Sequence, residues 1–149
     1  MPLKKLEHVG VVVRDLEAAK AFFIALGLEL EGEASLTGDT VDRLTGLKGV
    51  RTDIAVLRPP DGHGGVELIH YRTPEGREGD SRALMNTPGI RHFVFSVEDI
   101  DDALDRLRPY GGALVGELVQ YEDSYRLCYV GGPEGVVVEL AEELVRSEA

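Results

Sequence analysis

Only one cysteine, Cys128, occurs in the 149 residues, so no disulfide can form within the chain. A single thiol suits a reducing compartment, which points to the cytoplasm and leaves Cys128 as a packing residue. Cations are also scarce, with 16 Lys+Arg against 27 Asp+Glu and a formal net charge of −11. Nucleic-acid backbones and acidic membrane surfaces are bound by clustered cations, so both are excluded as partners. No apolar run approaches the roughly 20 residues that span a bilayer, and residues 1–5 carry no signal-peptide core before the first lysines. The length suits one compact domain.

What the sequence does have is a repeat. His8, Val9, Gly10, Val11, Val12, Val13, Arg14 and Asp15 return as His92, Phe93, Val94, Phe95, Ser96, Val97, Glu98 and Asp99, and Gly27 returns as Gly111. The offset is 84 in each case (92 − 8, 99 − 15, 111 − 27). Two copies are too few for a solenoid, which needs at least three repeats to bury a continuous core, so they form one pseudo-symmetric domain. The reading is a single domain over 1–149, with module one at 1–73, a connector at 74–89 and module two at 90–149. Pro74, Gly76, Gly79 and Pro88 punctuate that connector.

In module one, Val9, Val11 and Val13 alternate with His8, Gly10 and Val12, the period of a two-faced strand. Asp15 is placed to cap a helix whose apolar residues Leu16, Ala19, Phe22, Phe23 and Leu26 recur at helical spacing before Gly27 stops it. A short strand at 28–31, a polar segment at 32–40 and a single helical turn at 41–44 follow. Strands at 52–58 and 66–71 flank the turn residues of 59–65 as an antiparallel pair. Module two repeats the plan: strand from His92, helix capped by Asp99, one strand at 113–121, and a hairpin of 125–130 with 136–140. The tail after Ala141 is read as a surface segment. Each module is therefore βαβββ, and the class is α+β.

Four polar residues occupy matching places. His8 and His92 open the first strands, while Glu67 and Glu139 lie in the last, each between two apolar neighbours that alternation turns toward the helices. Any one of them alone would be read as a packed or solvent-facing side chain; the repeat makes them a set. Two imidazoles and two carboxylates beside Gly10, Val12, Ile69, Val94, Ser96 and Val137 suit one divalent ion such as Zn, Ni, Co, Mn or Fe(II). The absence of thiolate argues against a structural zinc. His63, in a glycine-rich turn, and His70, on the strand face opposite Glu67, are expected to be structural or exposed. Tyr71 and Tyr129 are candidates to line the site.

The paired histidine-to-aspartate segments, the Val66, Glu67, Leu68, Ile69 strand and the run from Gly132 through Pro133 to Glu139 together resemble the vicinal oxygen chelate superfamily over nearly the whole chain. That superfamily includes glyoxalase I, methylmalonyl-CoA epimerase, extradiol dioxygenases and bleomycin-resistance proteins. Gly132 stands where members often carry aspartate. The resemblance implies two βαβββ modules forming a cupped eight-stranded mixed sheet with helices on the convex side. It also implies His8, Glu67, His92 and Glu139 as metal ligands and a homodimer. The activity it favours is α-proton transfer on a small carbonyl or thioester substrate by a metal-dependent lyase or isomerase, with Glu139 or Glu67 as the base. The alternatives are a ring-cleaving dioxygenase of extradiol type and a non-catalytic small-molecule binding protein.

Overall fold

A computed structural model describes residues 2–144. The chain divides between Gly79 and Asp80 into two compact units. The connector read from the sequence is thus shared, 74–79 going to the first unit and 80–89 to the second.

Unit one runs β1 (His8–Val12), α1 (Leu16–Leu26), β2 (Glu29–Thr37), α2 (Asp39–Thr45), β3 (Arg51–Arg58) and β4 (Gly65–Thr73). Its sheet has the order β1-β4-β3-β2, with β1 parallel to β4 and the other neighbours antiparallel. The parallel pairing follows from chain length: about a dozen or more residues must cross over between parallel strands, whereas β3 and β4 are joined by a tight turn. Asp15 caps α1 through a hydrogen bond from the Ala18 amide at 3.0 Å, and Gly27, at φ +128°, ends the helix. Ala19, Phe22, Phe23 and Leu26 are buried along with Ala55 and Leu57 of β3 and Val66 and Leu68 of β4. Phe22 and Phe23 meet edge to face with centroids 5.3 Å apart, a geometry favoured by the aromatic quadrupole. The opposite face of this sheet is open, with Val12 58% exposed.

The strand expected at 28–31 extends to Thr37, taking in most of the polar segment, and the single turn at 41–44 is the seven-residue α2. β2 is an edge strand exposed on both faces, so nothing selects an alternating apolar pattern along it.

Unit two runs β5 (Phe93–Ser96), α3 (Ile100–Leu107), a 3-10 turn at Arg108–Tyr110, β6 (Ala113–Leu114), β7 (Val119–Tyr121), β8 (Tyr125–Gly131), a 3-10 turn at Pro133–Gly135 and β9 (Val137–Glu143). The sheet order is β5-β9-β8-β6, with β7 also on β8, and β5 lies parallel to β9. Asp99 caps α3 through the Asp102 amide at 3.1 Å, repeating the Asp15 device 84 residues later. Ile100, Ala103, Leu104 and Leu107 are buried, as are Cys128, Val130, Val138 and Leu140. Burial pushes the Cys128 thiol up. The strand expected at 113–121 is broken into β6 and β7 around 115–118, so among the described residues the units carry four and five strands. The expected tail after Ala141 continues β9 to Glu143, and 145–149 lie outside the described residues. Among the described residues no helix is long and apolar enough to cross a membrane.

Candidate functional site

In unit one, β1 and β4 pair so that Gly10 lies opposite Glu67 and His8 opposite Gly65. Strand alternation sends Val66 and Leu68 into the core and turns Glu67 and Ile69 to the open face, where His8 also stands. His8 Nε2 lies 3.8 Å from Glu67 Oε1, with side chains 37% and 24% exposed. Gly10 forms the floor between them: a Cβ there would sit 3.6 Å from Ile69 Cδ1, in ordinary contact.

Unit two builds the same pair, with His92 immediately before β5 and Glu139 on β9. Val94 lies opposite Glu139, Val138 and Leu140 point into the core, and His92 Nε2 lies 3.2 Å from Glu139 Oε1. Tyr129 is the neighbour of Glu139 on β8, and its ring rests against the His92 imidazole with centroids 4.7 Å apart at 50°. The turn that leads into β9 is closed by the Gly132 amide donating to the Val136 carbonyl at 2.7 Å. Gly135 cannot be replaced there without movement. It has φ +83°, and an added Cβ would lie 2.6 Å from the Ser81 α-carbon.

Two ligand atoms on one ion, each at about 2.1 Å, stand roughly 3 to 3.5 Å apart. The His–Glu separations of 3.8 and 3.2 Å fall close to that spacing, and an imidazole nitrogen with a carboxylate oxygen is a donor set that intermediate divalent cations accept. Each unit thus brings its own predicted histidine and glutamate together. Among the described residues, no group of three or more His, Cys, Asp or Glu is gathered as a metal site.

The other polar residues sort as follows. His63 lies in the exposed turn, where its amide donates to Asp61 Oδ1. His70 points away from Glu67, and its Nδ1 lies 3.2 Å from the Val13 carbonyl, so its role is to tie β4 to the end of β1. Tyr71 shares the Glu67 face by alternation.

Sequence reasoning passed over Arg58. Its guanidinium is paired with the carboxylates of Glu7 and Glu31 and donates as well to the Glu7 carbonyl. It lies over Gly65, whose missing Cβ would stand 3.0 Å from Nη1. Hydrogen bonding by Arg58 holds the Glu7 carboxyl below its ordinary value and raises the guanidinium in turn. The segment entering β1, and with it His8, is therefore clamped to β3. Partners 51 positions apart leave no local signal that could have disclosed this.

With this geometry in view, the comparisons with known proteins are direct. Residues 5–140 match the family model of the glyoxalase/bleomycin resistance protein/dioxygenase superfamily, and the chain belongs to that family. A crystal structure of a glyoxalase family protein from Bacillus cereus is similar at 43% identity, covering 97% of each chain with a TM-score of 0.93. Escherichia coli (strain K12) has a relative, uncharacterized protein YaeR, that is 28% identical over 142 residues, 95% of this chain and 98% of its own. The fold alone is shared with TnmS3, an antibiotic binding protein from Streptomyces sp. CB03234, at 20% identity, a TM-score of 0.60 and coverage of 96% and 98%.

Proposed function

We propose that the protein is a divalent-metal-dependent lyase or isomerase that moves an α-proton on a small carbonyl or thioester substrate, with His8, Glu67, His92 and Glu139 as metal ligands. The observation that carries this is the recurrence, in both halves of a member of this superfamily, of an imidazole and a carboxylate at ligand spacing on an open sheet face. A bound divalent ion supplies Lewis-acid polarisation of the substrate carbonyl. The histidines would supply the nitrogen ligands. Glu67 or Glu139 takes the proton from the carbon beside the carbonyl and returns it to the neighbouring carbon or to the other face of the same carbon, so the base is regenerated. Glutamine at either place could coordinate but could not accept that proton. A cytoplasmic homodimer completes the proposal, and sedimentation equilibrium at micromolar protein reads the oligomer.

The test is metal retention followed by proton exchange. Protein loaded in turn with Zn, Ni, Co, Mn and Fe(II) and desalted should keep about one ion per site by elemental analysis, and His92→Ala should lose it. Solvent deuterium should enter the α-position of the methylglyoxal–glutathione adduct or of methylmalonyl-CoA, and Glu67→Gln should keep the metal while changing that rate. Retention of none of the five metals sinks the reading. Catechol cleavage with Fe(II) and oxygen, untouched by Glu67→Gln and unaccompanied by exchange, would replace it with a dioxygenase; tight ligand binding with neither metal nor turnover would make this a binding protein.

A further inference from the structure

The open face of unit two continues beyond the His92–Glu139 pair. Alternation and register set its side chains in rows across the strands. Tyr129, Glu139 and Val94 form one row, Leu127, Ala141 and Ser96 the next, and Tyr121, Tyr125 and Glu143 the third. At about 3.3 Å of rise per residue, the third row lies about 13 Å along β9 from the first. The strip is uncovered: Tyr121 is 59% exposed, Tyr125 39%, and Val119, beside Leu127, 51%. The Tyr125 hydroxyl lies 3.5 Å from Glu143 Oε2.

Unit one has the same rows, and its third row differs. The registers place Leu36, Thr52 and Tyr71 where Tyr121, Tyr125 and Glu143 stand. Thr52 is only 3% exposed, so the middle of that row offers a ligand no surface. Charge is as selective as shape. Among the described residues, the strands of unit two carry one lysine or arginine, Arg126, and alternation puts it with Cys128 and Val130 on the helix side, where Asp101 holds it at 3.0 Å. The open face therefore has two carboxylates, Glu139 and Glu143, and no lysine or arginine to neutralise a phosphate or carboxylate laid along it. An anion there would lose hydration without gaining a partner. A flat, uncharged ring system instead buries apolar area on Leu127 and Ala141 and meets the two phenol rings at its far end.

We propose that this strip is the subsite for the substrate's tail and that it selects an uncharged, planar aromatic tail, so that the preferred substrate is an aryl-bearing carbonyl compound over a phosphate- or carboxylate-bearing thioester. The inference rests on the lyase or isomerase reading for the position of the carbonyl at the His92–Glu139 pair, and it narrows that reading. Tyr121 and Tyr125 set specificity from the far end of the strip and touch no reacting atom.

The experiment is a proton–carbon correlation spectrum of the tyrosine rings in the full-length protein, with the Tyr121 and Tyr125 signals assigned by their disappearance in Tyr121→Leu and Tyr125→Leu. The probe is 4-acetylbiphenyl, which joins a carbonyl to a neutral two-ring tail. It should shift both signals saturably and bind about two- to tenfold more weakly in each variant. Its analogue with a carboxylate on the terminal ring should bind about tenfold more weakly to the unmutated protein, and acetone, which lacks the tail, should leave both signals unmoved. Signals that 4-acetylbiphenyl does not move overturn the proposal, as does equal or tighter binding of the carboxylate analogue. Signals that shift when the protein alone is diluted also overturn it, because a second copy then covers the strip. Metal retention and deuterium exchange decide the lyase or isomerase reading separately. A chain that exchanges protons on the methylglyoxal–glutathione adduct but never responds to 4-acetylbiphenyl loses this inference and keeps that reading; one that retains no metal yet shows both tyrosine shifts loses that reading and keeps the aromatic subsite.

Discussion

Beside its glutamate, unit one sets Val56 where unit two sets Tyr129, and the two His–Glu pairs differ accordingly. The pair with an aromatic ring against its histidine is closed to 3.2 Å, whereas the pair beside valine stands at 3.8 Å. First and last strands keep the same plan in both units: a histidine that opens the first strand in unit one and immediately precedes it in unit two, a glutamate in the middle of the last, parallel pairing, and an aspartate capping the helix between. The antiparallel neighbour of the last strand carries the differences, Val56 against Tyr129, Arg58 against Gly131 and Asp53 against Arg126. What the repeat preserves is the placement of the ligand-bearing strands. What it varies is the strand that decides how those side chains are supported.

The largest test of that equivalence lies in the core. Phe23 and Leu107 occupy the same helical place 84 residues apart (107 − 23), and both are fully packed. Phe23→Ala should cost about 3 to 5 kcal/mol and Leu107→Ala about 2 to 5 kcal/mol, because each leaves a cavity that the sheet cannot collapse to fill. Urea unfolding followed by circular dichroism measures both. A loss below about 1 kcal/mol at either site would show that the helix does not anchor its unit in the way the buried contacts indicate.

Exchanging the third-strand residues sharpens the contrast at the site. Removal of an aromatic contact of this kind is worth about 0.5 to 1.5 kcal/mol, so Tyr129→Val should weaken metal binding about two- to tenfold, and Tyr129→Phe should hardly change it. Val56→Tyr should act in the opposite direction on the His8 side. Competition against a chelating dye reads the affinities; equal losses in Tyr129→Phe and Tyr129→Val would mean that the hydroxyl, rather than the ring against His92, matters.

The smallest effect is acidic. Hydrogen bonding from Ser35 and then Arg72 holds Asp53 below its ordinary value, as Arg58 does for Glu7 and Arg126 for Asp101. A carboxylate with a lowered folded-state pKa contributes stability that is fully present above its unfolded value, near 4, and is lost as pH falls through the folded value. Among the described residues, unit one holds two such groups and unit two one. Amide exchange at pH 6 and pH 3 should therefore show the larger loss of protection in unit one, and Asp53→Asn should reduce that difference; solvent screening keeps the effect small. Equal losses in both units would remove this distinction.

How much of this was legible in the sequence depends on whether the signal was local or repeated. The offset of 84 exposed the histidines and the two capping aspartates, and alternation around Glu67 and Glu139 gave their direction, because burial on one face leaves a period-two imprint. The extent of β2 was not legible, since an edge strand exposed on both faces bears no imprint, and neither was the interruption between β6 and β7. The Arg58 clamp was invisible for another reason: it depends on which partner is present across strands, and composition and period do not record that.

Arg58 and Gly65 form one bargain in space. The guanidinium occupies the volume that a side chain at 65 would need, and unit two reverses the terms, with Gly131 facing Val137. A side chain at 65 meets both the Arg58 guanidinium and the Leu57 carbonyl oxygen, each 3.0 Å from its Cβ, and losing Arg58 leaves Glu31 without its cation and Glu7 with Lys5 at 3.4 Å. Neither single step between the two solutions is neutral. The β3–β4 hairpin is thus the smallest block that can be inherited or transplanted intact, and recombination that cuts between 58 and 65 should yield poorer chains than recombination that takes both.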